Sequence, residues 1–151
     1  MTEAPTPTPS NTADQTKTQL IRLYENYWAA MERAYATGTI KGTDLEKYAA
    51  GLALAKAKKD VANVHSAGQE ITGDVRVGDS AVTDLDLKKK VPSASLTSCL
   101  DISDWIVRKR DTKAEVALPA ERLTKYVTRT SLERWPAGWR VVKTEPVEQE
   151  C

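Results

Sequence analysis

The sequence predicts an α+β fold in which three helices precede an antiparallel sheet of about five or six strands. Three observations carry that reading. Apolar residues recur at spacings of three and four up to about residue 67, the period shortens towards two after Gly68, and turn-forming residues then recur between short β-rich runs. A length of 151 residues leaves room for one ordinary domain. Its 40% hydrophobic and 28% charged residues exclude a collagen-like or wholly unfolded chain.

Residues 1–18 hold Pro5, Pro7 and Pro9 among Thr, Ser, Asn and Asp, with no large apolar side chain after Met1 before position 19. Such a stretch cannot bury enough surface to offset its ordering entropy, so it reads as a disordered, extended arm. The run Met1-Thr2-Glu3-Ala4-Pro5 has neither the basic region nor the apolar stretch of a secretory signal, which predicts a cytoplasmic chain as written, or an exported one if a signal lies upstream.

The first helix is expected over about residues 13–36, its opening turn overlapping the arm. Leu20, Tyr24, Tyr27, Trp28, Met31 and Tyr35 fall on one stripe, with Arg22, Asn26 and Arg33 behind it. Four aromatic rings on one stripe demand a broad apolar partner. Gly38 and Gly42 bracket a turn, and Thr43-Asp44-Leu45-Glu46 matches a capping box that opens a second helix carrying Leu45 and Tyr48. Gly51 interrupts. A third helix over about 52–67 presents Leu54, Ala55, Val61 and Val64, with Lys56, Lys58, Lys59 and Asp60 outward.

Strands are expected at 71–77, 80–87, 93–102, 105–110, 125–135 and 139–147, with Gly78-Asp79 as a tight turn joining the first two. Ala81, Thr83, Leu85 and Leu87 alternate with Val82, Asp84, Asp86 and Lys88; Leu96, Ser98, Leu100 and Ile102 alternate with Thr97, Cys99 and Asp101. One face of the sheet therefore packs inward and the other meets water. Pro136-Ala137-Gly138 reads as a hairpin turn whose flanking rings, Trp135 and Trp139, are placed to pair across strands. The domain is read as 19–147, with 148–151 as a tail.

Function classes narrow by exclusion. The 22 basic residues are nearly matched by 21 acidic ones, and Lys88-Lys89-Lys90 and Arg108-Lys109-Arg110 each lie beside acidic neighbours, which argues against a nucleic-acid partner. No run of 18 apolar residues occurs, so no membrane span is expected. His65 is the single histidine and Cys99 and Cys151 the two cysteines, too few for a tetrahedral zinc site, and Asp84-Leu85-Asp86 lacks the ligands of a calcium loop; no metal and no cofactor are expected. Cys99 reads as a small buried hydrophobe. Cys151 reads as exposed, free or bonded to another molecule, since pairing with Cys99 requires the tail to return to the sheet. Neither Gly-x-Ser-x-Gly nor a phosphate-binding Gly-x-x-x-x-Gly-Lys occurs.

A long aromatic first helix, two shorter helices and a run of antiparallel strands over about 19–147 resembles the nuclear-transport-factor-two-like superfamily, also called SnoaL-like. The runs Tyr24-Glu25-Asn26-Tyr27-Trp28, Ala36-Thr37-Gly38, Tyr48-Ala49-Ala50-Gly51, Ser98-Cys99-Leu100-Asp101-Ile102-Ser103 and Gly138-Trp139-Arg140-Val141-Val142 are similar to small secreted or lipoprotein-type domains of actinobacteria and their phages. The resemblance implies a cone-shaped fold, a curved sheet wrapped around the helices. It also implies a virion or mobile-element accessory role. Enzymes of the superfamily set a Tyr or His against an Asp in one cavity, which would make Tyr24 or Tyr27 the donor and Asp101 or Asp104 the base. Those tyrosines have core spacing, however, and those aspartates flank a short connection where Asp forms turns. The expectation is a non-catalytic binding or assembly domain whose partner is another protein or a second copy, as in a homodimer through the exposed sheet face. The alternative is a carrier of a small apolar ligand, or an isomerase or cyclase. Tyr24, Tyr27, Trp28, Asp101, Trp105, Trp135 and Trp139 are the candidate pocket or interface residues.

Overall fold

In the computed structural model, which describes residues 12–151, the helices come first: α1 (Thr12–Thr37), α2 (Leu45–Tyr48) and α3 (Gly51–Ser66). The strands follow as β1 (Gln69–Thr72), β2 (Arg76–Asp86), β3 (Ser93–Asp101), β4 (Ile106–Lys109), β5 (Lys125–Trp135) and β6 (Gly138–Glu150). They form two antiparallel sheets, one ordered β2-β3-β5-β6 and a small one pairing β1 with β4. The α+β order read from the sequence holds, but the strands do not share a single sheet.

The reason lies at residues 73–75. Gly73 turns the chain with φ +102°, and a Cβ there would run into the Asp104 carbonyl, so the turn is locked against the β3–β4 connection. What reads as one strand over 71–77 is thereby cut in two. The tight turn expected at Gly78-Asp79 is absent, and β2 runs straight through it. Between Gly78 and Ala81 the register advances three residues on β2 for two on β3, a bulge that accommodates the positive φ of Asp79. A second bulge between Val82 and Asp84 shifts the phase. Val82 and Leu85, three apart, consequently both reach the core, which overturns the simple alternation expected for this strand.

Helix α1 buries Leu20, Tyr24, Tyr27 and Met31 as its stripe predicts, and also Ala30 and Ala34, whose small side chains let neighbouring elements approach closely. It begins at Thr12, so residues 12–18 are helical rather than part of an arm. Composition underestimated them because polar residues still propagate a helix once it is docked, and Thr16 is buried. The rest of the expected arm, 1–11, lies outside the described residues. The capping box at Thr43 does not form: Asp44 takes a left-handed conformation, and the Thr43 hydroxyl donates to the Ile40 carbonyl and accepts from the Leu45 N–H. Helix α2 is accordingly a single turn, tied to the sheet by the Ala50 N–H donating to the Val141 carbonyl at 3.0 Å.

Leu96, Leu100, Leu132 and Val141 meet the helices from the inner face of the larger sheet. The β5–β6 hairpin closes through Pro136-Ala137, with Trp135 opposite Gly138 and Trp139 opposite Arg134. That register puts the two indoles on opposite faces, so the expected cross-strand Trp pair does not form. Cys99 is 5% exposed on β3, and its sulfur is bonded to Cys151, 52 residues later. The expectation of a free Cys151 is thus corrected. Strand β6 continues to Glu150, pairing with Tyr126 of β5, and this extension returns the tail to the sheet.

Candidate functional site

A cavity of about 220 Å³ opens between α1, α3 and the inner face of the sheet. Helix α1 contributes Tyr27, Met31 and Tyr35, one turn apart, together with Trp28. From α3 come Ala53, Lys56, Ala57 and Asp60, again one helical face. The two alanines make the room, because larger side chains there would fill the gap between α3 and the sheet. Leu100 of β3, Tyr126 and Thr128 of β5, Thr144, Glu145 and Pro146 of β6, and Trp105 of the β3–β4 connection complete the wall.

The rings lock one another. Tyr27 and Trp28 meet at 5.4 Å and 79°, and Tyr35 and Trp105 at 5.6 Å and 67°, both edge-to-face arrangements. Behind them the Tyr24 hydroxyl donates to Thr128 Oγ1 at 3.0 Å and lies 3.0 Å from Thr144 Oγ1, which in turn lies 2.9 Å from Thr130 Oγ1. This hydroxyl chain ties α1 to β5 and β6 and satisfies the buried Tyr24. Trp28 Nε1 is buried without a hydrogen-bond partner among the described residues.

Charge around the cavity is uneven. Burial raises the Tyr27 phenol above its ordinary value, with Tyr24, Tyr35 and the Asp60 carboxylate adding to the shift. Burial likewise raises Tyr35, helped by Asp60 and Tyr126, and raises Tyr126, helped by Tyr24 and opposed by Arg122. The phenols therefore remain neutral near neutrality, facing a carboxylate. Asp60 is itself paired with Lys56 Nζ at 3.0 Å, the lysine being the more exposed partner.

Of the residues singled out from the sequence, Tyr27, Trp28 and Trp105 line this cavity, and Tyr24 stands behind it. Asp101 does not. Its carboxylate accepts from the Ser103 N–H and hydroxyl at 2.9 and 2.6 Å and lies 3.6 Å from Arg76 Nη1. The Ser103 hydrogen bonds, aided by Arg76 and Lys125, hold it below the usual carboxylate range. Asp104 is bound to the same Arg76. The donor–base pair considered for catalysis is thus not assembled, because Asp101 points to the face opposite Leu100. Trp135 is 41% exposed on the outer face, its indole donating to Glu133, while Trp139 is packed into the core. Sequence reasoning missed Asp60, Lys56 and Tyr126 as site residues. The first two were read as a solvated helix face; their i, i+4 spacing beside Ala53 and Ala57, on the same face of the helix, was the available signal.

No family model matches the chain, and no curated protein matches it. Among solved structures, the chain is similar to the intermembrane space region of chloroplast protein ARC6, with a TM-score of 0.51 and 12% identity over 84% of this chain and 95% of that one. At that identity the likeness is one of fold: a helical first half followed by antiparallel strands is an arrangement that quite different sequences reach.

Proposed function

We propose that the chain is a non-catalytic binding domain of nuclear-transport-factor-two-like fold, and that the aromatic cavity between α1, α3 and the sheet is where it binds a small ligand. The observation that carries this is the wall itself: five aromatic side chains around a half-open, preformed space, with both candidate bases from the sequence, Asp101 and Asp104, engaged with Arg76. Binding sites are concave, mostly apolar and largely preformed, which this cavity matches. Four register shifts in the larger sheet favour the strong curvature of a cone, since bulges bend and twist strands. The Cys99–Cys151 bond favours an oxidising compartment, where such bonds persist.

A second reading, self-association, is favoured by Leu52 and Trp135, both exposed and lining one shallow groove on the other side of β6. One experiment separates the two. The indole N–H resonances of the four tryptophans are followed while a library of small apolar compounds is titrated and the protein is then diluted. Ligand binding moves Trp28 and Trp105 and leaves Trp135 alone. Shifts confined to Trp135 that depend on protein concentration favour assembly, and no compound moving Trp28 or Trp105 overturns the binding reading.

A further inference from the structure

We infer that the cavity takes a small organic cation, an alkylammonium compound, held by the aromatic walls and by the Asp60 carboxylate at its edge. This rests on the reading of the cavity as a binding site and narrows the ligand by size, wall chemistry and charge. Size comes first. A volume of about 220 Å³ is below the roughly 300 Å³ at which sites for drug-sized molecules begin, so the ligand is a compact one.

Wall chemistry comes second. Tyr27, Trp28, Tyr35, Trp105 and Tyr126 surround the space, and tyrosine and tryptophan rings attract a cation placed over their faces, most strongly where water is excluded. Their edge-to-face packing fixes the rings before any ligand arrives, so little ordering is needed on binding.

Charge decides the sign. Two carboxylates, Asp60 and Glu145, line the cavity against one lysine, Lys56, and Lys143, 3.8 Å from Glu145, is not among the lining residues. That excess of negative charge at the wall favours a cationic ligand over an anionic one, whereas burial, the main cause that raises the Tyr27 and Tyr35 phenols, opposes charge of either sign. Lys56 now pairs with Asp60, but the pair is exposed and joins neighbouring turns of one helix, a weakly held arrangement. An ammonium entering the cavity takes over the carboxylate from the inside while Lys56 swings into solvent.

The test uses the full chain and three probes: choline, its uncharged tert-butyl isostere and a trimethyllysine peptide, each titrated against the Trp28 and Trp105 indole signals. Choline is expected to bind about tenfold more tightly than the isostere. Asp60→Asn is expected to reduce that preference to about twofold without changing affinity for the isostere, and Lys56→Ala to strengthen choline binding by releasing the carboxylate. Equal affinity for choline and the isostere overturns the cation inference and leaves the cavity as an apolar site. Neither probe moving the two indoles counts against both readings. Peptide binding far tighter than choline overturns the assignment to a free small cation.

Discussion

Gly38 shows how one residue can be held by a neighbour distant in sequence. Its φ is +80°, and a Cβ built on it would strike the His65 ring, which packs against the turn after α1. Gly42 has nearly the same backbone, φ +76°, but nothing lies near its missing side chain. Both positions penalise an L side chain by about 1 kcal/mol through the backbone alone. Only Gly38 adds a steric conflict, worth about 1–3 kcal/mol more. Denaturant unfolding of Gly38→Ala and Gly42→Ala is therefore expected to show the first as clearly the less stable, and equal losses would mean that His65 does not pack there. The single histidine of the sequence thus has a packing role: its ring closes the α1 turn and its carbonyl accepts from Arg110 at 2.9 Å.

At the scale of elements, the last strand is held at its far end by a covalent bond. Strand β5 lies between β3 and β6, yet the Cα atoms of Cys99 and Cys151 are 5.9 Å apart, closer than the roughly 10 Å between strands that flank a third, so the chain after β6 crosses over β5 to reach Cys99. Thr144 and Pro146 of β6 wall the cavity, so the bond also braces the candidate site. With the cysteines 52 positions apart in sequence, loop-closure entropy in the unfolded chain gives about 4 kcal/mol of stabilisation. Cys151→Ser, or a mild reductant, is expected to lower Tm and to speed amide exchange over 143–150 while the centre of β3 stays protected. An unchanged Tm on reduction would show that the bond does not hold β6. The two bulges of β2 act at the same scale: each inserts a residue that no period-two pattern anticipates, and together they decide which side chains of that strand face the helices.

For the whole molecule, the raised phenols couple stability to alkaline pH. A tyrosine whose folded pKa is raised binds its proton more tightly in the folded state. Its contribution is complete below the unfolded value near 10 and is lost as pH rises through the folded value. Tyr27, Tyr35 and Tyr126 all shift that way, so stability is expected to fall as pH climbs above about 10. A spectrophotometric phenolate titration followed together with near-ultraviolet circular dichroism checks it. These rings should ionise only as the aromatic dichroism collapses; all five tyrosines ionising near 10 with the dichroism intact would mean that the cavity wall is open to water.

Local order was legible along the chain. The stripe from Leu20 to Met31, the three helices, the onset of strands after Gly68 and the turn at Pro136-Ala137 all depend on neighbours within a few residues, where periodicity and backbone preference act directly. Tertiary structure decided the rest. The division into two sheets depends on the Asp104 carbonyl lying against Gly73, and the partner of Cys99 lies 52 residues away. The cavity depends on Ala53 and Ala57 facing rings from α1 and β5, and whether an aspartate meets a tyrosine depends on which face of a strand it occupies. A sequence states which side chains are available and at what period they recur; which of them meet across a gap follows only from register, bulges and the approach of whole elements.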